Sequence, residues 1–235
     1  MKGPITQNTE KLFNSIATNY DRLNHLLSLG IDKCWRQRAL RHIINKQQPQ
    51  NILDIACGTG DFSIAIAQKV HKESKVYGLD LSEGMLNVMH QKVKTAHLEH
   101  IISTKHGNCE TLPFDDNSFD CATIAFGIRN FEHRETALNE IRRVLKPGGR
   151  LVILELSVPE CKIIRWLYLL YFKHILPVIG GWISGEKPAY RYLPASVIHF
   201  PPKSQWIATM QQCGYTDVYH QAYTLGICRL YVGRV

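Results

Sequence analysis

The sequence predicts an α/β fold in which a mostly parallel sheet is covered by helices on both faces. Three observations carry this expectation. Short apolar runs of strand length alternate with amphipathic, helix-length segments between residues 51 and 157, the rhythm of βαβ units. The first such run, Asn51-Ile52-Leu53-Asp54-Ile55, opens into Ala56-Cys57-Gly58-Thr59-Gly60-Asp61, where two residues without a Cβ allow a tight turn. The next, Val76-Tyr77-Gly78-Leu79-Asp80, ends in a carboxylate at the spacing a ribose ligand needs.

Taken in order, residues 9–46 carry apolar side chains at helical spacing (Leu12, Phe13, Ile16; Leu23, Leu26, Leu27; Trp35, Leu40, Ile43, Ile44), an N-terminal helical cap that Pro49 closes. A strand over 51–56 leads to a helix over 60–70, a strand over 75–80 and a helix over 83–96. Strands over 101–106 and 118–126, a helix over 132–145 and a strand over 150–157 complete the alternating part. From Val158 to Pro202 the rhythm breaks. Ile163 to Ile183 is the most apolar stretch of the chain, but Arg165, Lys173, Pro177 and Gly180-Gly181 interrupt it. A spanning helix needs about 20 mainly apolar residues without such breaks. The stretch reads as a lid over the substrate, with Trp, Tyr and cations suited to a membrane surface; the alternative is an inserted helix packed on the core. A helix over 205–213 and a hairpin of Tyr215–Val218 and Leu225–Val232 close the chain. The expected organisation is one domain: a cap over 1–48, a cofactor-binding core over 49–157, an apolar insertion over 158–202 and a C-terminal helix and hairpin over 203–235.

Composition bounds the class. A chain of 235 residues, 45% hydrophobic and 20% charged, can bury a sizeable core and is not a disordered protein. Its net charge of +8 fits nucleic acid, an anionic membrane surface or simply a solvated basic surface. The seven cysteines are odd in number and include no Cys-x-x-Cys, which argues for reduced thiols in the cytoplasm. The histidines form no His-Glu-x-x-His, and no metal site is expected. Met1 to Gln7 has no apolar core, so no signal peptide is expected.

The glycine turn also selects its ligand. A dinucleotide fingerprint needs a third glycine, and here Gly58-Thr59-Gly60 runs into Asp61-Phe62-Ser63. No Gly-x-x-x-x-Gly-Lys-Ser/Thr occurs. Asp54 and Asp61, on either side of the turn, would repel a pyrophosphate and suit a cation. S-adenosylmethionine carries a sulfonium and an ammonium and no phosphate, so the charges favour a methyl donor. The alternative is that Asp54 caps a turn and the glycines only connect strand to helix.

These residues resemble motif I of the class I S-adenosylmethionine-dependent methyltransferases, with Ala56 at the first glycine of acid-x-Gly-x-Gly-x-Gly. Gly107 to Phe114 resembles the loop along the adenine, Ser118 to Phe126 the fourth strand, and Leu145 to Ile153 the turn and strand after the fifth helix. Two further segments narrow the resemblance. Tyr20 to Trp35 is similar to the N-terminal signature of the menaquinone/ubiquinone biosynthesis C-methyltransferase family, with Leu23 in place of methionine and Asp32 in place of histidine. Arg143 to Ser157 matches that family's second signature, and Phe126-Gly127-Ile128-Arg129-Asn130 and Tyr190-Arg191-Tyr192-Leu193 also resemble it, so the likeness spans residues 9–234.

The resemblance implies a Rossmann-like class I methyltransferase with a mostly parallel seven-stranded sheet. It implies S-adenosylmethionine as cofactor and a prenylated quinol as substrate. The favoured acceptor is demethylmenaquinol, with a benzoquinol precursor of ubiquinone as the alternative. By position, Asp54, Gly58, Thr59 and Gly60 form the turn beside the amino acid part of the cofactor, and Asp80 holds the ribose. Asn108 and Cys109 lie at the adenine, and Ala125 stands where the family often has a serine, which leaves only a backbone contact. The candidates for chemistry are Arg129, Tyr20 and Asp21. Arginine stays protonated in water, so Arg129 is expected to stabilise a phenolate or orient a water. The alternative for Arg129 is a structural ion pair with an acid on the next helix, and for Tyr20 and Asp21 helix packing and capping. Tyr190 and Arg191 are placed either at the quinol head or in fixing the lid.

Other classes fit less well. Methyltransferases of exocyclic amines commonly carry Asn/Asp-Pro-Pro-Tyr/Phe after the fourth strand, where this chain has Ala125-Phe126-Gly127-Ile128. No cysteine stands in a Pro-Cys context there, so an RNA acceptor is disfavoured and no nucleic-acid partner is expected. A cofactor-binding assembly factor without turnover is disfavoured by Arg129, Asp80 and both signatures. The expected location is the cytoplasm, with peripheral contact at the inner face of the cell membrane; the oligomeric state, a homo-oligomer included, is left open.

Overall fold

The computed structural model describes residues 6–175 and 187–235. Seven strands form one sheet: β1 (Asn51–Ile55), β2 (Lys75–Asp80), β3 (Ile102–His106), β4 (Phe119–Ala125), β5 (Leu145–Leu156), β6 (Thr216–Tyr223) and β7 (Cys228–Arg234). Their order is β3-β2-β1-β4-β5-β7-β6. β1 to β5 pair in parallel, and β7 is antiparallel to both β5 and β6. This is the mostly parallel seven-stranded sheet expected. The helices are α1 (Thr6–Ile16), α2 (Tyr20–Leu27), α3 (Ile31–Ala39), α4 (Asp61–Ala67), α5 (Glu83–Thr95), α6 (Arg134–Val144), α7 (Lys162–Leu170), α8 (Lys187–His199) and α9 (Lys203–Gln212).

Period-two alternation along the strands divides the core in two. Ile52, Val76, Cys121, Val152 and Val232 face α3, α4 and α5, burying Trp35, Phe62, Ile66 and Met89. Leu53, Leu79, Ala122, Ile153 and Tyr231 face α6 and α9, burying Leu138, Ile141, Trp206 and Met210. A third cluster joins the cap to the segment after β5: Ile16, Leu27 and Met85 pack against Tyr168, Phe172 and Val197. β2 and β4 lie on opposite sides of β1, so the connections diverge and leave a crevice at the carboxyl ends of β1 and β4.

Two sequence expectations need correction. β5 starts at Leu145 and not at residue 150: Leu145 pairs with Phe119, and a register shift between Phe119 and Cys121 absorbs the Pro147-Gly148-Gly149 segment. Gly148 takes φ +77°, and its amide donates to the Val235 carbonyl at 2.9 Å. The C-terminal strands run over 216–223 and 228–234, displaced from Tyr215–Val218 and Leu225–Val232. β6 is an edge strand whose apolar pattern stops at Val218 while its pairing continues to Tyr223, and exposed Leu225 belongs to the connecting turn. The apolar segment begins as α7 and continues through a π-helical turn, Tyr171–Ile175. The rest of that run, 176–186, and the side chains of Tyr190 and Arg191 lie outside the described residues. Among the described residues no helix is long and apolar enough to cross a membrane.

Met89 of α5 is the plug between helix and sheet. A Cβ on Gly60 would stand 2.5 Å from Met89 Cγ, and one on Gly78 would stand 2.8 Å from the mobile Cε. Gly60 also has φ +84°, the left-handed region that favours glycine. Gly60→Ala is therefore expected to cost about 2–4 kcal/mol of unfolding free energy in urea, from strain plus overpacking, and Gly78→Ala under about 1.5. Equal costs would mean that Met89 does not set the spacing.

Candidate active site

The crevice is lined first by backbone. Ala56, Gly58 and Gly60 all have positive φ (+53°, +55° and +84°), so the chain after β1 turns sharply before α4 begins. Ala56 has a Cβ and sits in a region that costs an L-residue roughly 1–2 kcal/mol. Its methyl fits because residue 127 is glycine: a Cβ there would stand 2.7 Å from that of Ala56.

Asp80, at the end of β2, accepts hydrogen bonds from the Gly58 amide at 2.7 Å and the Ser82 amide at 2.8 Å. Burial pushes its carboxyl above the ordinary carboxylate value, and the backbone amides of Ser82, Gly58 and Leu81 hold the rise in check. Ser82 in turn caps α5, accepting from the Met85 amide at 3.1 Å. A cavity of about 110 Å³ opens here, lined by Leu79, Asp80, Asn108, Cys109 and Phe131 among others. Asn108 turns its side-chain oxygen to the Glu110 amide at 2.9 Å.

Asp54 sits at the crevice end of β1 in register with Thr123 of β4. Thr123 Oγ1 donates to it at 2.8 Å and Ser63 Oγ of α4 at 2.5 Å. It is 1% exposed, and burial raises its carboxyl to about 6 against the pull of those hydroxyls.

The N-terminal cap is tied across the turn by charge. Asp21 accepts from Thr59 Oγ1 and, at 2.9 Å, from Lys92 Nζ of α5. Lys92 also pairs with Asp61, the first residue of α4. Asp61 meets His25 Nε2 at 3.1 Å, while His25 Nδ1 meets Asp32 at 2.7 Å. Ser28 Oγ and Arg36 complete the shell of Asp32. Burial pushes both carboxyls up, but hydrogen bonds and cations outweigh it: Lys92, Arg36 and His25 hold Asp61 low, and Ser28, Arg36 and His25 hold Asp32 low.

Arg129 follows β4, in a one-turn helix, Ile128–Asn130. Its Nη1 pairs with Glu155 Oε1 at 2.8 Å, and its own amide donates to Glu155 Oε2 at 3.1 Å. Its Nε donates to Ser196 Oγ of α8 at 3.3 Å, and Nη1 also reaches the Phe126 carbonyl. The acid that pairs with it thus lies on β5, correcting the next-helix partner considered from sequence. A strand can bury that acid: Glu155 is fully inaccessible and Arg129 only 5% exposed.

A larger cavity of about 310 Å³ lies under the cap, and Tyr20, Asp21, Asp54, Thr59, Ala125 and Arg129 are all on its wall. Of the sequence candidates, Asp80, Asn108 and Cys109 line the smaller cavity, and Gly60 lines neither, shaping the turn from beneath. The two cavities share Tyr20, Ala56, Gly58, Ala125 and Phe126. Sequence reasoning did not single out His25, Arg36, Lys92, Glu155 or Tyr168. Glu155 had a signal, as the lone acid in Leu151-Val152-Ile153-Leu154-Glu155-Leu156. Lys92 had none, because its partners come from α2 and α4.

Fold and crevice define the class: the architecture is that of the class I S-adenosylmethionine-dependent methyltransferases. The chain superposes on such an enzyme from Thermotoga maritima with TM-score 0.66 at 18% identity, covering 95% of this chain and 98% of that one. An S-adenosylmethionine-dependent methyltransferase from Aquifex aeolicus gives 0.63 at 18% identity over 85% and 89%. The ubiE/COQ5 methyltransferase family matches residues 2–234, and the chain belongs to that family. It is 42% identical to the demethylmenaquinone methyltransferase of Bacteroides fragilis over 97% of this chain and 93% of the relative. It is 45% identical to the ubiquinone/menaquinone biosynthesis C-methyltransferase of Geotalea daltonii over 97% and 98%.

The cap network has a signed pH dependence. Asp32 and Asp61 are both held below their ordinary value, so their stabilisation is complete above the unfolded carboxylate range and is lost as pH falls through the folded values. The thermal midpoint is expected to drop between pH 6 and 3, and Asp61→Asn to flatten that drop. An unchanged slope in the variant would remove Asp61 from the latch.

Proposed function

We propose that this chain transfers a methyl group from S-adenosylmethionine to a ring carbon of a prenylated quinol, with demethylmenaquinol as the first acceptor and a ubiquinone-pathway benzoquinol as the alternative. The names of the relatives at 42% and 45% identity support this reading. The observation that carries it is the junction of the cavities: one ends on Asp80, the other holds Arg129, and they meet at Tyr20, Ala56, Gly58, Ala125 and Phe126.

The residues fit the donor. Asp80 keeps acceptor capacity for ribose hydroxyls, with Leu79, Cys109 and Phe131 as apolar walls for the base. Asn108 lies beside them, and Ala125 offers backbone only. Carboxylates, Asp54 among them, surround the turn of Gly58, Thr59 and Gly60 and suit a ligand carrying positive charge. When bound, the donor supplies an electrophilic methyl on a sulfonium. Methylating carbon requires electron density on the ring, which ionising a neighbouring hydroxyl supplies. Arg129, charged as arginine is throughout the working range and held in place by Glu155, serves that oxygen as an electrostatic stabiliser. Burial raises the Tyr20 phenol against the pull of Arg129, so it stays protonated and orients the ring; Asp21 fixes the cap through Thr59 and Lys92.

The acceptor's tail suits a membrane surface, and α7 supports peripheral contact there. Ile163, Trp166, Leu167 and Leu170 are exposed beside Lys162 and Arg165, and exposed Leu29 and Ile31 rim the larger cavity.

The test is methyl transfer from labelled S-adenosylmethionine by purified protein to reduced demethylmenaquinone and to a reduced benzoquinone precursor. Label is expected in the naphthoquinol; label in neither overturns the reading. Arg129→Lys is expected to keep cofactor affinity within about threefold while turnover falls at least about a hundredfold. Unchanged turnover would remove Arg129 from the chemistry.

Asp54 yields a further expectation. A carboxyl raised to about 6 favours the fold with its proton on and loses that contribution as pH rises through about 6. A cation binds the ionised form better, so cofactor affinity is expected to rise as pH passes through about 6, and Asp54→Asn to abolish the rise. Calorimetric titration across pH 5–8 measures both.

A further inference from the structure

The larger cavity has room for a ring and not for a long chain. Its volume, about 310 Å³, is at the lower end of what encloses a drug-sized ligand. Asp54, Gly58 and Thr59 on its wall are the part that the donor's amino acid end takes. A polyprenyl tail must therefore leave the cavity, and the exposed residues mark where. Leu29 and Ile31 line the cavity and are yet 81% and 37% exposed, so the wall opens to the outside at the turn between α2 and α3. Beside this opening lies the segment after β5: Tyr171 lines the same cavity and donates to the Leu27 carbonyl at 2.8 Å.

Both segments carry apolar side chains that the fold does not use. Leu29 stands at φ +52°, a left-handed conformation disfavoured for any L-residue, and its exposure means that no packing offsets this. On α7, Ile163, Trp166, Leu167 and Leu170 recur at i, i+3, i+4 and i+7, and all are exposed. The opposite face of the segment is already spent, with Tyr168 and Phe172 in the cluster that holds Leu27. A helix apolar on both faces has a second surface to bury. Lys162, Arg165 and Lys173 are exposed along this segment, which contains no acid, and exposed Lys33 follows Ile31. Apolar side chains set among cations match a bilayer with anionic headgroups.

We propose that the cap turn and α7 together form a port that docks on an anionic lipid bilayer, so that the quinol ring enters the larger cavity from the membrane while its prenyl chain stays among the acyl chains. This rests on the functional reading above and gives the substrate its route. Leu29, Trp166 and Leu167 enter the headgroup boundary, and the lysines and Arg165 meet the phosphates. Among the described residues no helix is long and apolar enough to cross the bilayer, so these carry attachment at its surface. The tail then never meets water, and the cost of extracting it does not enter the barrier.

The test is sedimentation of the full chain with vesicles of phosphatidylcholine alone and of phosphatidylcholine with phosphatidylglycerol. Binding to the mixed vesicles is expected to be at least about tenfold tighter than to the neutral ones and to weaken with salt. Trp166→Asp and Leu29→Asp are each expected to weaken it about tenfold or more, the scale for losing one large apolar contact, with the thermal midpoint unchanged. On demethylmenaquinol carried in the mixed vesicles, Trp166→Asp should lower kcat/KM about tenfold. On a short-chain, water-soluble naphthoquinol it should leave kcat/KM unchanged. No binding to the mixed vesicles overturns the proposal, as does a Leu29→Asp chain that binds like the wild type, or a Trp166→Asp chain that loses activity equally on both acceptors. Self-association that Trp166→Asp abolishes, without vesicle binding, overturns it too and assigns the face to a second copy. Failure of the wild-type protein to methylate either acceptor would instead sink the functional reading, and vesicle binding is read independently of it.

Discussion

The reversal of strand order at β1 is the constraint on which the rest depends. With β2 to one side and β4 to the other, no connection covers the ends of β1 and β4, and a crevice must form there. What fills its floor is backbone, so the chain needs left-handed residues at 56, 58 and 60 to turn before α4. Once the turn is made, the Gly58 amide points at Asp80, and the carboxylate that closes β2 fixes the loop that closes β1. Loop and acid position each other.

The cap and the buried pair show two ways of using charge. Around Asp61 and Lys92 the groups are partly exposed, at 24% and 29% of their side chains, and each isolated pair of that kind is worth at most about 1 kcal/mol. Their effect comes from linking α2, α3, α4 and α5 in one network. Arg129 and Glu155 are buried. Removing either partner strands a charge in the core and costs about 3–5 kcal/mol, far more than any single pair of the cap contributes.

The sheet and the turn were legible because their determinants are local. Gly58, Gly60 and Asp80 act within a few residues of their place in the sequence, and the apolar runs mark β1, β2 and β4 directly. The start of β5 was not legible, since Pro147-Gly148-Gly149 reads as a turn in isolation and only the bulge opposite Phe119 keeps it in the sheet. Family likeness placed Arg129 at the site, but neither likeness nor pattern disclosed Glu155 as its anchor. The His25–Asp61–Lys92 links were invisible for the same reason that they matter: they join helices far apart in the chain. Tyr168 reads as one more apolar residue in a greasy run, and only the fold reveals that its hydroxyl is enclosed.

The contact between Ala56 and Gly127 makes these positions a single genetic unit. Alanine at 56 is admitted only while 127 lacks a side chain, whereas glycine at 56 would relieve the strain and free 127 to vary. Substitutions there are therefore order-dependent. From the present sequence a side chain at 127 meets the Ala56 methyl unless 56 becomes glycine, and a chain that already carried a side chain at 127 would meet the same clash on gaining Ala56. The floor of the crevice thus carries a ratchet on its own divergence.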